Sequence, residues 1–65
     1  MEITEQQFLA YERVRRSGET NMFDIPAVIT LADQMESVEL DREECLYIMK
    51  NYSSLKQQYM GGQNE

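Results

Sequence analysis

The sequence predicts an all-α fold, a small three-helix bundle over about 4–17, 24–36 and 41–59. Each of the three stretches opens on a helix-start signal. Each then carries apolar residues at spacings of three and four, and no strand-like alternation competes with them. No internal repeat or low-complexity segment interrupts the chain. Residues 1–60 therefore read as a single helical domain and 61–65 as a disordered C-terminal tail.

The first helix opens at Thr4. Thr4-Glu5-Gln6-Gln7 has the capping-box form, in which two side chains each satisfy an orphan backbone donor. Ile3 and Phe8 flank the cap at the spacing of a hydrophobic staple. Phe8, Tyr11 and Val14 continue the apolar face. Gly18 is a natural stop, because it takes the left-handed conformation at little cost. Arg13, Arg15 and Arg16 occupy the last turns, where the helix dipole favours positive charge.

The second helix opens at Asp24, with Phe23 and Val28 in the staple positions and Pro26 in the first turn, which tolerates its missing N–H. Ile25, Val28, Ile29, Ala32 and Met35 form its stripe. No glycine closes it, and Ser37-Val38-Glu39-Leu40 reads as a connecting loop. The third opens at Asp41, where Asp41-Arg42-Glu43-Glu44 is another capping box with Leu40 and Cys45 as the staple pair. Its stripe runs through Cys45, Ile48, Met49, Tyr52, Leu55 and Tyr59, and Gly61-Gly62 ends it. At 1.5 Å per residue this helix would be about 27 Å long. Its outer end, around Leu55 and Tyr59, is expected to overhang the two shorter helices and expose apolar surface.

With 65 residues, the chain can bury only about 60% of the surface its unfolded form exposes. Domains this small usually need a disulfide, a metal or a partner. Cys45 is the single cysteine and histidine is absent, so neither an intrachain disulfide nor the usual zinc site can form. Helix packing, completed by homodimerisation, is the remaining route. An unpaired cysteine, a polar acidic N-terminus without signal-peptide character and no long apolar run together predict a cytoplasmic protein without a membrane span. Asn51-Tyr52-Ser53 matches a glycosylation acceptor by chance on this reading. The net charge of −6, from 12 acids and 6 bases, argues against binding that neutralises phosphates.

The residues that carry chemistry are few. Without histidine the commonest general base is missing. Cys45 falls on the apolar stripe and reads as a small buried hydrophobe. Glu36, Glu39, Asp41, Glu43 and Glu44 form an acidic run without the spacing or turn glycine of a calcium loop, so capping and solvation account for it. No glycine-rich loop precedes a helix in phosphate-binding form. The expectation is therefore a non-enzyme without cofactor or metal. A helix-turn-helix drawn over the second and third helices would aim Asp41, Glu43 and Glu44 at DNA, which disfavours it. Candidate partner-binding residues are Arg13, Arg15 and Arg16, then Thr20 and Asn21 in the first connection, and Tyr47, Leu55 and Tyr59 on the third helix. Two roles fit Tyr47, an interface anchor beside Leu46 or packing against a connecting loop.

Gly18-Glu19-Thr20-Asn21-Met22-Phe23-Asp24 resembles a signature of short, uncharacterised proteins encoded by bacteriophages and prophages of low-GC Gram-positive bacteria. The resemblance extends more weakly to Arg42-Glu43-Glu44-Cys45-Leu46 and Ile48-Met49-Lys50-Asn51-Tyr52, and so runs from about Tyr11 to Tyr59. It implies a phage origin and a setting in the bacterial host cytoplasm, with no assigned chemistry. Gln34 to Leu40 departs from those relatives, whose corresponding connection is shorter. The expected function is a small accessory protein that binds a host protein as an inhibitor of a bacterial defence system, of the anti-CRISPR kind. A form of this is an acidic nucleic-acid mimic. The alternative is a small dimeric DNA-binding regulator.

Overall fold

A computed structural model describes residues 1–61. Its helices are α1 (Glu5–Ser17), α2 (Ile25–Glu36), α3 (Arg42–Lys50) and α4 (Tyr52–Met60). No strand occurs among the described residues. The all-α class holds, but the helices number four, because the third predicted helix breaks at Asn51. Of the predicted tail, only Gly61 falls within the described residues.

The start signals act as local chemistry requires. The Thr4 hydroxyl accepts from the Gln7 N–H at 3.1 Å, and the Gln7 side chain accepts from the Thr4 N–H at 3.0 Å. Asp41 and Glu44 repeat the exchange at 2.7 and 3.0 Å. The two boxes are also joined to each other, since Gln7 Nε2 donates to Glu44 Oε2 at 2.8 Å. Asp24 caps α2 through a longer bond to the Ala27 N–H, at 3.4 Å. Gly18 closes α1 at φ 69°. The stop of α2, unreadable beforehand, is Ser37 at φ 56°. Its N–H reaches Asp33 O at 2.9 Å, and the Val38 N–H reaches Ala32 O at 3.3 Å. A non-glycine residue in this left-handed region costs about 1–2 kcal/mol, which these bonds offset.

Asn51 breaks the third predicted helix without proline or glycine. It sits at φ −112°, ψ 27°, and its side-chain amide donates to Tyr47 O at 3.0 Å, beside its own N–H at 2.9 Å. Asparagine competes in this way with regular helix bonding. The break corrects the expected overhang, because α4 packs on α1 and α3. The Tyr52 and Tyr59 rings lie 5.7 and 6.1 Å from the Phe8 ring, centroid to centroid. The Tyr59 hydroxyl donates to Ile3 O.

One core gathers side chains from all four helices, and Phe8, Val14, Val28, Cys45 and Ile48 are its largest fully buried members. The radius of gyration, 10.9 Å, matches the roughly 10.7 Å expected for a single compact body of this length. The three predicted staples diverge. Ile3 and Leu40, the residues before the α1 and α3 caps, are 2% and 3% exposed. Phe23, in the same position before α2, is 78% exposed. Val28 is buried without it, so the Phe23–Val28 staple does not form. Burying a Phe side chain contributes about 1.5–3 kcal/mol, and the fold leaves that contribution unused.

Candidate partner-binding surface

The last two turns of α1 organise the first candidate surface. Glu12 is one residue beyond Tyr11 and four beyond Phe8, so helical geometry turns it partly toward the core. It is 3% exposed. A buried carboxylate needs partners, and Glu12 has three. Arg15 donates from Nε and Nη2 at 3.1 and 2.8 Å, in a two-pronged pair. Arg16 Nε donates at 3.2 Å. The Tyr52 hydroxyl donates at 2.5 Å across the boundary with α4. Burial pushes the Glu12 carboxyl upward, but the bonds from Arg15, Tyr52 and Arg16 outweigh it and hold the carboxyl below its ordinary value. The same bond with Glu12 raises the Arg15 guanidinium, and burial followed by Glu12 raises the Tyr52 phenol. Arg15 also lies over the Tyr52 ring, 5.4 Å from its centroid, and Lys56 lies at 5.9 Å.

Arg13 faces another way and meets Glu36 at the end of α2, Nε to Oε1 3.5 Å. The three arginines thus all meet carboxylates of the same chain, with Arg15 and Arg16 sharing Glu12. Arg13 and Arg16, but not Arg15, line an open cavity of about 420 Å³ together with Leu9, Glu12, Ser17, Met35, Glu36 and Met60. A neighbouring cavity of about 270 Å³ shares Leu9, Arg13 and Glu36 with it. Together they form a groove lined by both apolar side chains, among them Leu9, Met35 and Met60, and the Arg13–Glu36 pair.

The connection after α1 is held by its own bonds. Ser17 Oγ donates to Val14 O at 2.7 Å and accepts from the Glu19 N–H at 3.2 Å. Asn21 Oδ1 accepts from the Phe23 N–H at 2.9 Å, and Asn21 O accepts from the Asp24 N–H at 2.8 Å. Asn21 therefore spends its carbonyl oxygens on the turn. Thr20 is half-buried, and Met22 packs against the core as an interhelical plug.

The remaining expected contact residues stand apart from this corner. Leu55 is 7% exposed and belongs to the core, so it is no surface anchor. Tyr59 is half-buried and bonded to Ile3. Tyr47 is half-buried and packs against the core, while its neighbour Leu46 is exposed. Leu55 and Tyr59 lie inward because α4 packs back on α1 and α3 instead of overhanging. Cys45 is fully buried, and burial, reinforced by Asp41 and Glu44, raises its thiol to about 11. At neutral pH it is a protonated thiol rather than a nucleophile. Glu39, Asp41 and Glu44 line an open cavity of about 450 Å³ with Gln7 and Leu40. No cluster of three or more metal-ligating side chains occurs among the described residues. No helix there is long and apolar enough to cross a membrane.

A family described as a domain of unknown function (DUF5049) matches residues 2–60, from the segment before the α1 cap to the last residue of α4. The chain belongs to this family. The match spans all four helices and both boxes, so the family covers the whole fold rather than one motif of it. No curated protein and no solved structure matches the chain. Within the family's span lie residues of this region whose roles sequence reasoning left out. Glu12 was signalled by Arg15 and Arg16 at positions i+3 and i+4, the spacing of helical ion pairs. Leu9 and Met60 carried no signal, since their groove forms only when α4 returns to α1. Phe23 was hidden by its resemblance to a staple.

Proposed function

We propose that this chain is a small phage-encoded accessory protein that binds a host protein in the bacterial cytoplasm and thereby inhibits a defence system of that host. The phage setting rests on the resemblance carried by Gly18 to Asp24. Binding to protein rather than nucleic acid rests on one observation: the arginines at the end of α1 are ion-paired within the chain, and two of them, Arg13 and Arg16, line a groove with Leu9, Met35 and Met60. Nucleic-acid binding depends on cations free to replace counterions. A surface that mixes apolar side chains with paired polar ones suits a protein interface.

The alternative, a dimeric DNA-binding regulator, draws less support. Its arginines are engaged, and the long third helix that would have carried the dimer is broken at Asn51. Tagged protein expressed in a Gram-positive host is expected to co-purify with one host protein in stoichiometric amount. Met35→Glu, which places a charge in the groove, is expected to abolish the association. Expression is also expected to restore phage plating on a strain carrying the matching defence system. Clean purifications from several hosts, or a gel shift with DNA at low salt, would remove the reading.

A further inference from the structure

Three helices of this chain open on the same device, an apolar residue immediately before the cap, and one of the three is unused. Ile3 and Leu40 are folded into the core, whereas Phe23 is 78% exposed. Scattered apolar residues are ordinary on protein surfaces. Phe23 differs because the backbone on both sides of it is fixed. The Asn21 side chain holds the Phe23 N–H, Asn21 O holds the Asp24 N–H, Met22 is packed on the core, and Asp24 starts α2. The ring is thus held clear of its own core on a turn that needs no ordering before it meets a partner. Preorganised aromatic side chains are the usual anchors of protein interfaces, because their burial is not offset by loop ordering.

The charges that flank Phe23 in sequence narrow the partner. Glu19 and Asp24 are exposed on either side, and Glu19 enters no ion pair among the described residues. Arg15 and Arg16, the nearest cations in sequence, are held by Glu12. The chain as a whole carries −6. A second copy would bring the same acids against themselves, and a nucleic acid would bring phosphates. We infer that Phe23 is the anchor by which this protein inserts into an apolar pocket with a basic rim on a partner protein. The inference rests on the proposal of a protein partner but not on the groove, which is lined by other residues.

The experiment uses the full chain with photoreactive p-benzoyl-phenylalanine in place of Phe23, and separately in place of Met35, irradiated in a Gram-positive host. The expected product at position 23 is one adduct with a host protein. Its cross-linked peptide maps to an apolar pocket that has Lys or Arg at its edge. Excess unmodified protein is expected to suppress the adduct. Phe23→Ala is expected to compete at least about 30-fold less well, the loss typical of an interface anchor. Glu19→Lys should also compete poorly. Phe23→Ala should melt with the parent protein, since its side chain is outside the core. Competition by Phe23→Ala equal to the parent, an adduct between two copies of this chain, or a mapped site without apolar and basic residues overturns the inference. A host adduct at position 35 alone leaves the protein-binding proposal standing and discards the Phe23 anchor. No host adduct at either position discards both.

Discussion

Glu12 carries a charge that the fold keeps from water, and its carboxylate is the point where α1 and α4 are tied by polar bonds. A hydrogen bond to a charged group contributes about 1.5–3 kcal/mol, and Glu12 accepts from Arg15, Arg16 and Tyr52. The exposed Arg13–Glu36 pair is of a different order, at about 0–1 kcal/mol. Glu12→Gln keeps the shape and removes the charge. It is expected to destabilise the protein by about 2 kcal/mol, read as a melting point lower by roughly 8–16 °C. The sign of the pH dependence follows from the lowered Glu12 carboxyl. The stabilisation is fully present above the ordinary glutamate value and is lost as pH falls through the lower folded value. The gap between parent and variant should therefore be widest near neutrality and close in acid. Parallel thermal melts that keep the same separation down to strongly acidic pH would contradict this account.

Among the elements, α4 departs most from what its sequence announces. Ile48, Tyr52, Leu55 and Tyr59 continue one helical stripe through Asn51, so periodicity alone sees no boundary. The deciding interactions are distant in sequence: Tyr52 to Glu12, Tyr59 to Ile3, and both rings to Phe8. The caps at Thr4, Asp24 and Asp41 were legible because each closes within three residues. Ser37 was not, because its left-handed backbone is paid for by bonds that exist only once α2 has formed. If α4 is a wall of the core rather than an overhang, Leu55→Ala should cost about 2–5 kcal/mol. Circular dichroism should show a lower melting point for the variant. An unchanged melting point would restore Leu55 to the surface.

At the scale of the whole molecule, four short helices enclose one core, and the single cysteine is free within it. Met1, Phe23, Met35 and Leu46 are the large apolar residues left exposed among the described residues. These are the side chains that the expected homodimer would have to cover. Light scattering of the purified protein is expected to report the mass of one chain, 7.7 kDa. A value of twice that would return the dimer to consideration. The sequence carried the fold class and the helix starts, which depend on neighbours. It carried less of the binding surface, which depends on where α4 lies and on which apolar residue is left out of the core.

The bond between Gln7 and Glu44 has a consequence for how this small fold opens. Helix ends ordinarily fray one at a time, each losing only its own turn. Here the residue that completes one box also supports the residue that completes the other, although they lie 37 positions apart in the chain. Melting the start of α1 frees Gln7 and strips Glu44 of a donor, and melting the start of α3 does the reverse. The two helix starts are thereby linked, so that fraying of either one loosens the other.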